Sequence, residues 1–247
     1  TIRRAVCQSI KRESDLTVVF PHLICRGFWE NAIMPIFMHL GVVSLRPKRI
    51  QEPGRQEFIG IGAFTMLRRS MYEKFGGHKA IRGEVIDDMA LGMMTKEHGG
   101  SILLLRGKKA VSLRMYDSLS AIVSGFQKNV HAGIGGGILR SLFVAGVFLF
   151  LHTLPAIAFL GALFTGQVLL MAFAAVVYIV TGVALYQRLS PGNTFQKRSV
   201  IFGYAPGAVV CVYIILRSAW YSCVKNEIHW RGRVIQKPEQ KVKIFGR

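Results

Sequence analysis

The sequence predicts an α/β domain followed by a helical membrane region, and two observations support this division. Residues 141–187 contain no Asp, Glu, Lys or Arg, and this stretch is long enough for two helices that cross roughly 30 Å of hydrocarbon. Before it, strand-like runs alternate with helix-like runs, as in α/β domains. We therefore predict a domain with interfacial helices over residues 1–140, a membrane region over 141–223 and a basic tail over 224–247.

The charges are segregated along the chain. The net charge is +19, although 51% of the residues are hydrophobic. Residues 1–140 hold 21 Lys/Arg and 11 Asp/Glu, and residues 188–247 hold 11 and 2. Basic segments flanking apolar spans favour a multi-pass protein of the cell membrane with its basic parts at the cytoplasmic leaflet. No nucleic-acid partner is expected, because the basic residues are scattered and no helix-turn-helix, zinc-finger or stacking motif accompanies them.

The apolar region predicts three membrane helices, over residues 141–164, 167–187 and 199–221. Gly166-Gln167 is the polar break between the first two. Pro206-Gly207 interrupts the third, so a crossing helix and a segment that turns back both stay open. The four cysteines show no C-x-x-C spacing, and neither a zinc site nor a disulfide framework is indicated.

Three carboxylates, Glu84, Asp87 and Asp88, lie within five positions just before a predicted helix. Two interpretations are open for the Asp pair. One of its members caps the helix, or the pair supplies a general base or metal ligand at a strand-to-helix junction.

Four segments and a tail motif carry a resemblance to a known family. The segments are GIGAFTMLRRSMYEKFGGH, VIDDMALGMMTKEHGG, SLRMY and GFQKNVHAG, and the tail motif is HWRGRVI. In order and spacing they resemble the second half of membrane-bound family-two glycosyltransferases. The likeness is closest to hopanoid-associated and carotenoid glycosyltransferases, and ceramide glucosyltransferase is a more distant relative.

The resemblance implies the nucleotide-diphospho-sugar transferase (GT-A) fold and inverting transfer from a nucleotide-diphosphate sugar. It implies a lipid-like alcohol or acid as acceptor, presented at the cytoplasmic face of the bilayer. The family's general base matches Asp88, with Asp87 beside it.

The same resemblance assigns substrate contacts to several further residues. These are Gly60, Gly62, Phe64, Arg68, Arg114, Tyr116, Gln127, Lys128, Trp230, Arg231 and Arg233. For Gly60 and Gly62 a tight turn against the core is an equal alternative, and for the Trp230–Arg233 motif a basic anchor to anionic headgroups is one.

Two departures from the family pattern are informative. Processive relatives carry Q-x-x-R-W where this chain reads Gln127-Lys128-Asn129-Val130-His131, which favours transfer of a single sugar. No D-x-D motif occurs in the chain. The divalent ion expected in the complete enzyme, Mg²⁺ or Mn²⁺, is therefore predicted to have its ligands outside this chain, which is expected to be the C-terminal portion of an enzyme.

Two other classes of protein compete with this interpretation. A non-enzymatic membrane scaffold with a basic cytoplasmic domain predicts that Asp88 is only a helix cap. A transporter fragment predicts ionisable residues inside the spans, and residues 141–187 have no Asp, Glu, Lys or Arg.

The missing D-x-D motif generates a binding prediction. In the presence of Mg²⁺ or Mn²⁺, this chain alone is expected to show no measurable binding of a nucleotide-diphosphate sugar in calorimetry. Micromolar binding would place the donor site within residues 1–247.

Overall fold

The computed structural model describes residues 1–44, 46–107, 110–230 and 233–236. The predicted combination of a mixed α/β region with three apolar helices is confirmed. The predicted boundaries between the domain, the membrane region and the basic tail, after residues 140 and 223, stay predictions. The helices are α1 (Ile2–Lys11), α2 (Phe28–Ser44), α3 (Pro47–Gln51), α4 (Arg69–Lys74), α5 (Asp87–Glu97), α6 (Leu119–Gly133), α7 (Ile138–Thr165), α8 (Val168–Leu189) and α9 (Lys197–Trp220). The strands are β1 (Leu16–Phe20), β2 (His22–Leu23), β3 (Thr65–Leu67), β4 (Ile102–Arg106), β5 (Ser112–Leu113), β6 (Glu227–Trp230) and β7 (Arg233–Gln236).

The first of two compact units contains Thr1–Leu23 and Val43–Leu113. Its central sheet has the order β3-β1-β4. Strand β1 is antiparallel to β3 and parallel to β4, so that Leu16 lies opposite both Leu67 and Ile102. Leu16 and Val18 are completely buried, because this apolar strand occupies the middle of the sheet.

The second unit contains Ile24–Val42 and the described part of Arg114–Lys237. Its helices α7 and α8, and α9 with the π-helical turn Tyr221–Lys225 that continues it, are each long and apolar enough to cross a membrane. Helices α7 and α8 are joined by only Gly166 and Gln167.

Helix α9 runs without interruption through Pro206, where the sequence suggested a break. The neighbouring Gly207 lies against α2: a Cβ atom there would be 2.3 Å from the Ala32 carbonyl oxygen. Small residues let apolar helices approach closely, and here they let α2 cover the backbone beside the proline. Helices α1 and α3 and the β6–β7 hairpin were not predicted.

The contact between Gly207 and Ala32 predicts a selective loss of stability. Gly207→Ala forces α2 and α9 apart, and overpacking of this kind costs about 1–3 kcal/mol. Gly161→Ala is the matched control, since Gly161 lies on α7 with no atom within 4 Å of its added Cβ. Thermal unfolding in detergent is expected to show a lower midpoint for Gly207→Ala alone, and equal midpoints would contradict the packing described.

Candidate active site

The Asp87-Asp88 pair occupies the first two positions of α5. The residue before the helix is Ile86, and it makes no side-chain capping bond. Met89 N–H donates to Asp88 Oδ1 over 2.8 Å, and Gly62 N–H donates to Asp88 Oδ2 over 2.6 Å. Neither aspartate is thus the N-cap residue. Asp88 satisfies one N–H of its own helix and binds a separate loop with its other oxygen.

The loop that reaches Asp88 lies directly on the backbone of α5. A Cβ atom on Gly60 would be 1.7 Å from the Asp88 carbonyl oxygen, and one on Gly92 would be 2.4 Å from the Ile59 carbonyl oxygen. Both distances are far below van der Waals contact, so glycine is required at each position. The chain then turns, with Phe64 N–H donating to the Ile61 carbonyl over 3.1 Å. The G-x-G spacing thus has a structural role: Gly60 allows the approach and Gly62 supplies the donor.

The geometry leaves the Asp88 carboxylate able to accept further hydrogen bonds. Asp88 is half-buried and Asp87 is exposed. Each carboxylate oxygen has two lone-pair sites, and the two backbone bonds described use one on each oxygen. A negative charge at a helix N-terminus is also favoured by the helix dipole. The carboxylate therefore has a fixed orientation and remaining acceptor capacity.

The same loop leads into β3, and Phe64 and Arg68 lie directly before and after this strand. The Arg68 side chain pairs with Asp15, with 3.8 Å between Nε and Oδ1, and its N–H donates to the Asp15 carbonyl over 2.7 Å. The Phe64 carbonyl accepts from Val19 N–H over 3.1 Å. Both contacts tie the loop to β1 and its preceding residue.

In the second unit, Arg114 binds a buried carboxylate. Its Nη2 and Nε donate to Glu30 Oε1 and Oε2 over 2.7 and 3.2 Å. Glu30 also accepts from Gly27 N–H over 2.9 Å and from Arg26 N–H over 3.1 Å. The bidentate pair with an arginine is the strong form of this interaction. Four donors therefore satisfy a side chain that is only 2% exposed.

This arrangement shifts two pKa values in opposite directions. Burial acts to raise the pKa of Glu30, but the Arg114 bond and the backbone bonds of Gly27 and Arg26 outweigh it and hold that pKa below its usual value. For Cys25, burial and the nearby Glu30 charge raise the thiol pKa to about 12. Near neutral pH the Glu30 side chain is therefore ionised and the Cys25 thiol is protonated.

Gln127 lies on α6, and Tyr116 lies beside this helix. The Tyr116 ring packs on Gly125, where a Cβ atom would be 2.3 Å from the ring, and lies 5.4 Å from the Phe126 ring centre. Burial raises the pKa of Tyr116. Gln127 is 7% exposed, and its buried Nε2 has no hydrogen-bond partner among the residues that the structure describes. Lys128, the next residue, is half-buried.

The sequence-predicted contacts thus form two groups, one in each unit. Gly60, Gly62 and Asp88 are brought together in the first unit, and Arg114, Tyr116 and Gln127 lie in the second. Trp230 and Arg233 are opposite each other across the β6–β7 hairpin, and Arg231 lies outside the described residues. The substrate roles of all these residues stay predictions.

Glu30 is the residue that sequence reasoning missed. In the sequence it is marked only by its position, as a single carboxylate within the apolar stretch over residues 27–43. A lone carboxylate in such a stretch is a signal in itself, because buried acidic residues are almost always paired.

The described residues, taken without positions 45, 108–109, 231–232 and 237–247, hold no group of three or more His, Cys, Asp or Glu side chains that fits a metal ion.

Comparison with known proteins finds similarity to a glycosyltransferase. The chain is 27% identical over 128 residues to 4,4'-diaponeurosporenoate glycosyltransferase of Staphylococcus aureus, with the same values for strains USA300, NCTC 8325 and Newman. The match covers 51% of this chain and 34% of the relative, so the chain spans about a third of the length of these relatives. The predicted resemblance to carotenoid glycosyltransferases is confirmed. No protein-family profile and no solved structure matches.

The lowered pKa of Glu30 predicts acid sensitivity. A carboxylate whose pKa is lowered by folding stabilises the protein at pH values above its pKa in the unfolded chain. This stabilisation is lost as the pH falls through the pKa of the folded state. Glu30→Gln is expected to unfold at lower temperature than the parent at neutral pH. The difference should shrink from about pH 5 downward.

Glu73→Gln is the control, because Glu73 forms an exposed pair with Arg69 and such pairs contribute little. A pH-independent gap between Glu30→Gln and the parent would contradict the titration of Glu30.

Proposed function

We propose that this chain belongs to an inverting glycosyltransferase of the GT-A fold. The enzyme would transfer a single sugar from a nucleotide-diphosphate sugar to a lipid-like acceptor at the cytoplasmic face of the cell membrane. The observation that carries the proposal is the Asp88 carboxylate, oriented by Gly62 and Met89 at the start of α5. The similarity to a carotenoid glycosyltransferase supports it.

In the proposed reaction Asp88 acts as general base. A free Asp88 lone pair accepts the proton of the acceptor hydroxyl, and the acceptor oxygen forms a bond to the anomeric carbon of the donor sugar. The bond from that carbon to the diphosphate oxygen breaks on the opposite side, and the nucleoside diphosphate leaves with the electron pair. One displacement inverts the anomeric centre, and an alcohol needs the base because it is a poor nucleophile while protonated.

The loop of Gly60 and Gly62 has the supporting role of fixing the base. Proton transfer requires heavy atoms within about 2.6–3.2 Å of each other. A carboxylate bonded through both oxygens keeps the orientation that such a distance demands. Phe64 and Arg68 lie at the two ends of β3, which follows this loop, and we assign them to the wall of the acceptor site.

The second unit is proposed to contribute substrate contacts. Gln127 offers a buried amide N–H without a partner among the described residues, and leaving such a donor unpaired is costly. A sugar hydroxyl or phosphate oxygen would satisfy it. Arg114 and Tyr116, with Lys128, are assigned to the same region, and Trp230, Arg231 and Arg233 to recognition of phosphate.

A divalent ion, when bound, would neutralise charge that develops on the leaving diphosphate. The acceptor is proposed to be apolar for two reasons. Helices α7 and α8 suit a bilayer, and the name of the relatives gives diaponeurosporenoate as what they glycosylate.

The base assignment is tested by Asp88→Asn in the intact enzyme. Transfer to a hydroxyl acceptor is expected to fall about 10²–10⁴-fold, the usual contribution of acid–base catalysis, while donor binding stays unchanged. Asn has one acceptor oxygen and keeps only one of the two backbone hydrogen bonds of Asp88, so a stability loss of about 0.5–1.5 kcal/mol is expected. Glu97→Gln is the control, since Glu97 is an exposed carboxylate at the other end of the same helix. Near-normal turnover of Asp88→Asn with a hydroxyl acceptor would remove Asp88 from the mechanism.

A carboxylic acid acceptor provides a second arm. Such a group is already ionised near neutral pH, because its pKa lies near 4, and it needs no base. Asp88→Asn is therefore expected to retain transfer to an acid while losing transfer to an alcohol. Equal loss with both acceptors would indicate that Asp88 orients substrate instead of accepting a proton.

A further inference from the structure

Helices α7 and α8 define a membrane face from which the chain departs and to which it returns. At 1.5 Å per residue, α7 with its 28 residues is about 42 Å long and α8 with its 22 residues about 33 Å. Two residues connect them, and such a short connection makes neighbouring helices antiparallel. The end of α8 therefore lies at the face where α7 begins, which is called the entry face.

The end of α9 is fixed at this same face. His131, near the end of α6, donates its backbone N–H to Ser218 Oγ over 3.1 Å, and its Nδ1 lies 3.1 Å from Ser141 Oγ. Its Nε2 lies 3.4 Å from Cys223 Sγ. Ser141 is in the first turn of α7, whereas Ser218 and Cys223 are at the end of α9 and in the turn after it. One buried histidine therefore joins the beginning of α7 to the end of α9.

Further along α9, a second contact gives its direction. The ring of Tyr204 lies 6.0 Å from that of His152, which is in the middle of α7. This contact is made by the Tyr204 ring. Just before it, Ile201 lies against α8, where a Cβ atom on Gly182 would be 2.8 Å from the Ile201 Cα. Gly182 is about 10 Å from the end of α8, so α9 begins near the entry face, and from Tyr204 to Ser218 it runs back towards the beginning of α7. A helix that crossed the membrane away from the entry face would end about 36 Å from that face, since α9 has 24 residues.

From these contacts we propose that α9 does not cross the bilayer. It lies against the α7–α8 hairpin with both ends on the entry face, embeds one side in the lipid of that leaflet, and returns the β6–β7 hairpin to this face. The inference is independent of the proposed sugar transfer, because it rests on helix contacts alone.

The burial of α9 supports this placement. Of its apolar stretch, 56% is covered by the rest of the protein, against 17% for α7 and α8. The exposed apolar side chains form one stripe at helical spacing, namely Phe202, Val209, Tyr213, Leu216 and Trp220. Lipid contact is thus limited to one side along the whole helix, as in helices that lie in a membrane interface.

Aromatic and basic side chains mark the headgroup level at the end of α9. The Arg217 guanidinium lies 5.7 and 5.8 Å from the ring centres of Tyr213 and Tyr221, and its Nη1 donates to Tyr213 Oη over 2.8 Å. Trp220, 54% exposed, is beside them. Trp, Tyr and Arg are characteristic of the boundary between hydrocarbon and water.

The charges agree with a single basic face. The basic residues near the ends of α7, α8 and α9, including the turn after α9, all lie on the entry face in this proposal. They are Arg140, Arg188, Lys197, Arg198, Arg217 and Lys225. The opposite turn at Gly166-Gln167 carries no charge. An excess of Lys and Arg marks the cytoplasmic side, so we assign the entry face to the cytoplasm.

Thiol accessibility in intact cells tests the proposal. The exposed cysteines, Cys7 and Cys223, are replaced by serine in the full-length protein, while the buried Cys25 and Cys211 stay. Single reporters are then introduced at exposed positions as Gln167→Cys, Lys197→Cys and Lys225→Cys, and a membrane-impermeant maleimide is applied. We expect labelling of Gln167→Cys in intact cells, and of Lys197→Cys and Lys225→Cys only after permeabilisation.

Two other labelling patterns would contradict parts of this proposal. If Lys225→Cys reacts in intact cells together with Gln167→Cys, α9 crosses the membrane and the proposal is overturned. If Gln167→Cys is protected and the other two react, the cytoplasmic assignment is wrong. A chain with only Cys7→Ser, in which the native Cys223 is the reporter, must behave like Lys225→Cys. This variant leaves the contact between Cys223 and His131 intact.

Discussion

A polar group that is removed from water must find a partner inside the protein, and the second unit is arranged around this requirement. Glu30 and Asn31 are buried at the start of α2, at 2% and 0% exposure. Glu30 is satisfied by Arg114 and two backbone N–H groups. Asn31 donates to the carbonyls of Cys25 and Gly27 and accepts from Gln196 N–H over 2.7 Å. Two adjacent polar residues thereby fix the approach to α6 and the beginning of α9.

The first unit depends on a different constraint, which is the close contact between the backbone of residues 59–62 and the backbone of α5. Gly60 and Gly92 allow residues 59–62 to lie against α5, and this contact brings Gly62 N–H within hydrogen-bond distance of Asp88. Steric fit and the orientation of the Asp88 carboxylate therefore depend on the same few atoms. A substitution at Gly60 would act on the orientation of the carboxylate even though it removes no polar group.

Much of this organisation was predictable from the sequence, because it depends on local composition. The charge-free stretch over 141–187 predicted α7 and α8, and the carboxylates before an apolar run predicted the start of α5. The partner of Arg114 was not predictable, since 84 residues separate it from Glu30 and no local pattern records such a pair. The path of α9 was likewise open. Pro206 suggested a break, but the cover that α2 provides at Gly207 is a property of the packed structure.

The turn at Gly166-Gln167 has a consequence for how the protein enters the membrane. It is the segment between α7 and α8 that must reach the far side of the bilayer, and it is two residues long without charge. Carrying a charged side chain through hydrocarbon costs several kcal/mol, about 2.5–3.5 for Arg, Lys or Asp at the centre of a helix. Because the turn avoids this barrier, a hairpin of α7 and α8 can insert as one unit, without translocation of a charged loop between these two helices.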